Sequence, residues 1–178
     1  GVDDGDSDKF KIGTTAIGTG TMFVLDTDSN ISLSNNDGGT SNTILGKLAG
    51  DDLASGGDFN IFLGEDAGHT NKLGDNNIAI GYDAFDLSYI DDTQDALTVD
   101  NIFIGKNSGG GDWATAASHT NVAIGNDTMN GILNGATTNV GIGHQALGGL
   151  LVGDGNVAIG YQALLANATA GGNVAIGQ

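Results

Sequence analysis

Asn156-Val157-Ala158-Ile159-Gly160 decides the reading of this chain, because nearly the same five residues return along most of its length. They stand again at Asn121 to Gly125 and at Asn173 to Gly177. Looser copies begin at Asn139 (NVGIG), Asn101 (NIFIG), Asn77 (NIAIG), Asn60 (NIFLG) and Asn42 (NTILG), and a degenerate one at Thr14 (TTAIG). The closing glycines of the eight good copies are separated by 18, 17, 24, 20, 18, 17 and 17 residues. So short and regular a period marks stacked repeats, each burying its apolar surface against its neighbours.

Within each copy the pattern is Asn, aliphatic, middle residue, aliphatic, Gly. Side chains alternate faces along a strand, so the two aliphatic positions share one face and the middle position takes the other. The pairs Ile61/Leu63, Ile78/Ile80, Ile102/Ile104, Val122/Ile124, Val140/Ile142, Val157/Ile159 and Val174/Ile176 are the expected buried face. The middle row, mostly Ala or Gly with Phe62 and Phe103 as exceptions, suits close approach of another chain. After the Gly come units such as Tyr82-Asp83-Ala84-Phe85 and Tyr161-Gln162-Ala163-Leu164, read as a second inward side or a single helical turn. A loop rich in Gly, Asp, Asn and Thr completes the period, swelling at 86–100 and 109–120.

The recurrent asparagines are Asn42, Asn60, Asn77, Asn101, Asn121, Asn139, Asn156 and Asn173. Coils stacked about 4.8 Å apart would lay them over one another as a ladder of amide hydrogen bonds. Residues 1–41 lack this pattern and form an irregular β entry segment. There Phe10 to Ile12 reads as a strand, and Met22 to Leu25 and Ile31 to Leu33 as two strands around the turn 26–30. Residues 42–178 are the repeat solenoid.

Composition narrows the function. The 178 residues hold 22 acidic and 5 basic side chains, a net charge of −17, and Glu65 is the only Glu. Asp in this excess belongs to turns rather than helices. Nucleic acid is a poor partner for such a surface, since phosphate contact needs clustered Lys and Arg. There is no Cys, so neither disulfides nor thiol chemistry operate. No apolar run is long enough to span a membrane as a helix. A chain that stops right after a repeat core, with no polar cap, is expected to be an excerpt of a longer protein.

No catalytic residue is expected. His69, His119 and His144 fall at three different points of the repeat, and none has a partner nucleophile in view. Asp4 to Asp8 and Asp26 to Asn30 imitate the start of a calcium loop but lack the Gly and the closing Glu of an EF-hand. No metal site or cofactor is expected on motif grounds, with calcium between Asp-rich turns as the alternative. Adjacent acids such as Asp51-Asp52 and Asp91-Asp92 do not define the facing carboxyls of a glycosidase. Tyr89 and Trp113, in the two long loops, are the candidate receptor contacts, because exposed aromatic loop residues favour carbohydrate or protein contact.

The NVAIG words followed by x-x-Ala resemble the head repeats of trimeric autotransporter adhesins. The longer form NVAIGYQALLANATAGGNVAIG is similar to repeats of bacteriophage tail-fibre and appendage proteins. The likeness covers about residues 42–178. It implies a left-handed homotrimer, a virion or extracellular location, attachment to a host glycan or protein, no membrane insertion, and a self-cleaving chaperone domain beyond Gln178. The adhesin coils are shorter than the 17–24 residues seen here. Ile-Gly-x-x-Ala also matches the hexapeptide of left-handed β-helix acyltransferases, but only about one side in three conforms. The expectation is therefore an all-β parallel β-solenoid or β-roll, homotrimeric, serving as a non-enzymatic fibre segment. A bacterial adhesin head and a hexapeptide acyltransferase are the alternatives.

Overall fold

The structure, a computed structural model, describes residues 39–86, 98–111 and 116–178, together with the backbone of residues 10–11, 24–25 and 31–32. Tyr89 and Trp113 lie outside the described residues, as do most of the positions assigned to the entry segment. Strands β1 (Phe10–Lys11), β2 (Val24–Leu25) and β3 (Ile31–Ser32) form a small antiparallel sheet in the order β1-β2-β3. From Thr43 onward the chain is a parallel β-solenoid of about seven turns, each of about 18 residues, with no helix among the described residues.

One strand per turn builds the sheet: β4 (Thr43–Leu45), β5 (Ile61–Leu63), β6 (Ile78–Ile80), β7 (Ile102–Ile104), β8 (Val122–Ile124), β9 (Val140–Ile142), β10 (Val157–Ile159) and β11 (Val174–Ile176). They run parallel in sequence order with no slip of register; Val157, for example, pairs with Val140 on one side and Val174 on the other. Coils 1 to 7 run from each Asn to the residue before the next: 42–59, 60–76, 77–100, 101–120, 121–138, 139–155 and 156–172.

Four corners per coil turn the chain back on itself, and each uses a positive φ. For the last coil they are Gly155, the residue that leads into Asn156 from coil 6, then Gly160, Gln162 and Leu164, with φ of 64°, 133°, 57° and 52°. The strand-ending Gly is needed twice over. Its φ suits no L side chain, and a Cβ on Gly160 would strike the carbonyl of Gly177 in the next coil. The x-x-Ala-aliphatic unit is neither strand nor helical turn. Its left-handed residues alternate with ordinary ones, and its amides bond to neighbouring coils, as from Gln162 N to His144 O (2.9 Å) and Leu147 N to Ala163 O (3.0 Å).

The core reverses the expected assignment of strand faces. Phe62, Ala79, Phe103, Ala123 and Ala158 of the middle row are fully buried inside the coil, and Gly141 is buried with them. The Val and Ile pairs point outward and stay partly exposed. The physical reason lies in the narrowness of a one-strand-per-turn coil. Its interior also receives the Ala and the large residue of the following side, and Leu53, Leu133 or Leu150 from the loop side, which leaves little volume opposite the strand.

That volume is shared by rule. Where the middle residue is large, the residue six positions on is Gly: Ile44 with Gly50, Phe62 with Gly68, Phe103 with Gly109. Where it is small, the partner is large: Ala79 with Phe85, Ala123 with Met129, Gly141 with Leu147, Ala158 with Leu164. A Cβ added at Gly68 would come within 2.6 Å of the Phe62 ring, and one at Gly109 within 2.5 Å of Phe103. The rings of Phe62, Phe85 and Phe103 consequently enter from alternate sides and pack in sequence, with centroids 6.5 and 5.1 Å apart. Such pairs contribute roughly 0.5–1.5 kcal/mol beyond burial.

Candidate functional site: the asparagine spine and the aliphatic face

The eight repeat asparagines stand in one column, and those from Asn60 to Asn156 are fully buried. Each Asn Oδ1 accepts the backbone N–H of the Asn one coil further on, from Asn60 N to Asn42 Oδ1 (2.7 Å) through Asn173 N to Asn156 Oδ1 (3.1 Å). From Asn101 onward the Nδ2 group also donates to the preceding Oδ1, at 2.9–3.2 Å.

A second bond closes the coil. Nδ2 of Asn42, Asn60, Asn77, Asn101, Asn121, Asn139 and Asn156 donates to the carbonyl of Gly57, Gly74, Thr98, Ser118, Ala136, Gly153 and Ala170 respectively, at 2.8–3.0 Å. That acceptor always lies three residues before the next Asn, although it stands 14 to 21 positions after the donor Asn. The spine fixes where each coil ends and leaves the loop free to lengthen. Only an amide serves, since the site needs one acceptor oxygen and two donor hydrogens. An Asp there would stack like charges out of water.

On the opposite side of the same strands runs the aliphatic face. Ile124, Ile142 and Ile159 keep 36–38% of their surface exposed, and they stand in register on adjacent strands. The face extends over all eight strands, about 34 Å at a spacing of roughly 4.8 Å. Monomeric soluble proteins rarely leave so continuous an apolar surface bare. These are the residues that the strand pattern places on the buried face; the signal for the opposite choice is the pairing of large middle residues with Gly six positions on.

Beyond the Gly corner, a row of Lys47, Glu65, Tyr82, Lys106, Asn126, His144 and Tyr161 faces outward. Lys47 Nζ donates to Glu65 Oε1 at 2.7 Å, and that carboxylate raises the lysine above its ordinary value. The neighbouring carboxylate of Asp83 likewise raises the Tyr82 phenol. Partial burial, aided by Asp86 and Asp66, pushes the Asp83 carboxyl up despite its bond to Tyr82. His144 stacks on Tyr161 at 5.4 Å and lies 3.6 Å from Asp127, His69 lies 3.5 Å from Asp86, and His119 is exposed two residues before Asn121. The three histidines thus sit at unrelated repeat positions.

Among the described residues no group of three or more His, Cys, Asp or Glu is disposed to hold a metal. No helix among them is long and apolar enough to cross a membrane. No family model, curated protein or solved structure matches the chain.

Proposed function

We propose that this chain is a structural segment of an extended appendage, a viral (phage) fibre first and a cell-surface adhesin second. It acts in attachment to a host or surface without enzymatic chemistry, and it associates as three copies through the aliphatic face. The observation that carries this reading is the uninterrupted row of Val and Ile pairs outside the coil. Its axial repeat is the strand spacing, roughly 4.8 Å, and a partner meets every rung only if it has the same repeat. A second copy of the chain supplies it. Obligate interfaces of this kind are enriched in apolar residues at their centre. The net charge of −17 keeps the remaining surface soluble and acts against nonspecific stacking of rods.

The coils of 24 and 20 residues carry Tyr89 and Trp113, to which we assign the contact with a host glycan or protein. Light scattering tests the assembly. The expected mass is three times the 17.8 kDa of the chain, falling to a single chain when Ile124 and Ile142 are both replaced by Asp. A folded wild-type protein that stays monomeric at micromolar concentration sinks the proposal.

A further inference from the structure

Two rows of exposed residues border the aliphatic face, one on each side. The leading row is the residue before each repeat Asn, and the trailing row is the residue after each strand's Gly; every described member of both is exposed. In the leading row Asp100 is the single charged residue. The trailing row carries Lys47, Glu65 and Lys106, with His144 beside its own Asp127. Lys47 and Glu65 neutralise each other through their 2.7 Å bond. Each row is thus left with one unbalanced charge, negative at Asp100 and positive at Lys106, and both flank the same strand, β7.

Neither residue forms an ion pair among the described residues. They cannot reach each other within one chain, because residues 101–105 lie extended between them over roughly 16 Å. In a chain with 22 acidic and 5 basic residues, a lysine left unpaired beside an apolar face points to a carboxylate outside that chain. Symmetry supplies one. Copies related by rotation about an axis parallel to the rod keep every residue at its own height. The leading row of one copy then meets the trailing row of the next, and Asp100 faces the neighbour's Lys106. The same arrangement sets Gly155, which has no side chain, opposite the half-exposed ring of Tyr161. Antiparallel copies would set each row against its own kind. With all eight strands overlapping, Lys106 would then meet Asn126 and Asp100 would meet Thr120.

We infer that the copies lie parallel and in register, with Asp100 of each paired to Lys106 of the next at the rim of the aliphatic face. This rests on the assembly proposed above and adds its direction, its register and the residues that set them. Charges placed in this way fix register and suppress wrong pairings more than they add affinity.

Light scattering over a dilution series tests the pair. Lys106→Asp should raise the concentration at which the assembly dissociates by about tenfold or more, since like charges then face each other at every contact. Adding Asp100→Lys exchanges the two charges and should restore the wild-type value. Lys106→Asp combined with Thr138→Lys has the same net charge but sets the new lysine two rungs away, and should not restore it. Rescue by both lysines or by neither overturns the inference, as does a Lys106→Asp assembly as tight as the wild type. Far-ultraviolet dichroism checks that each variant is folded. Where one is not, carbodiimide coupling of the wild type gives the reading: an amide joining Asp100 to Lys106 is expected in the bands of two and three chains, and its absence overturns the pair. A monomeric wild type removes the assembly and the pair together, whereas a trimer indifferent to these charges removes the pair alone.

Discussion

Coils 2 to 4 and coils 5 to 7 share a backbone but fill it differently. The first group threads Phe62, Phe85 and Phe103 through the axis from alternate sides, whereas the second sets Ala123, Gly141 and Ala158 opposite Met129, Leu147 and Leu164. The asparagine spine runs through both unaltered. The comparison teaches that the hydrogen-bonded column specifies the coil, while the apolar filling has only to meet a fixed volume. A substitution in the spine should therefore cost the same in either region, and one in the filling should be rescued by a compensating change.

The largest effect is expected from Phe103→Ala, which removes a fully buried ring that packs on Phe85. Denaturant unfolding should show a loss of about 3–5 kcal/mol. Gly109→Met alone should also destabilise, because its side chain would enter the Phe103 ring. The two together reproduce the Ala123 and Met129 pairing of coil 5, so the double variant should be more stable than Phe103→Ala. If it is not, the shared-volume account is wrong.

Next in size is Asn121→Leu. It leaves the Ala136 carbonyl and the Asn139 N–H without their bonds, at about 1–3 kcal/mol for each buried group. Asn77→Leu in the Phe-filled region should cost a similar amount. A difference of several kcal/mol between the two would show that the filling and the spine are not independent.

A smaller change in stability, with a large change in mass, is expected from Ile142→Asp on the outer face. A surface charge on an isolated coil costs little, about 0.5 kcal/mol, so loss of assembly with retained far-ultraviolet dichroism separates outward from inward residues. The smallest effect concerns Asp83. Its folded carboxyl titrates above the ordinary value because of partial burial and the nearby Asp86 and Asp66, so the native state holds that proton more tightly than the unfolded chain. The sign is that protonation favours folding. The benefit is present below the ordinary carboxylate range and is lost as pH rises through the raised value. Asp83→Asn should therefore stabilise slightly at neutral pH, by about 0.5 kcal/mol or less, and lose that advantage in acid. An advantage that grows in acid would contradict the assignment.

Much of this was legible in the residues. The spacing of the glycines sets the period, the recurrent Asn sets the column, and the excess lengths of coils 3 and 4 place the insertions in the loops at 86–100 and 109–120. These features are local words in fixed register, and parallel stacking follows because each coil offers its neighbour the same donors and acceptors. The left-handed corners at Gln162 and Leu164 were not legible, since neither residue type advertises a positive φ.

What the sequence by itself determined is that Val157 and Ile159 lie on one face and Ala158 on the other. Which of those faces looks inward was decided only by the closed coil. Alternation of side chains is symmetric between inside and outside, and hydrophobicity alone favours burying the larger pair. Once Ala163, Leu164 and the loop-side residues claim the interior, the space left opposite the strand holds one small side chain, so the Val and Ile pair must face out.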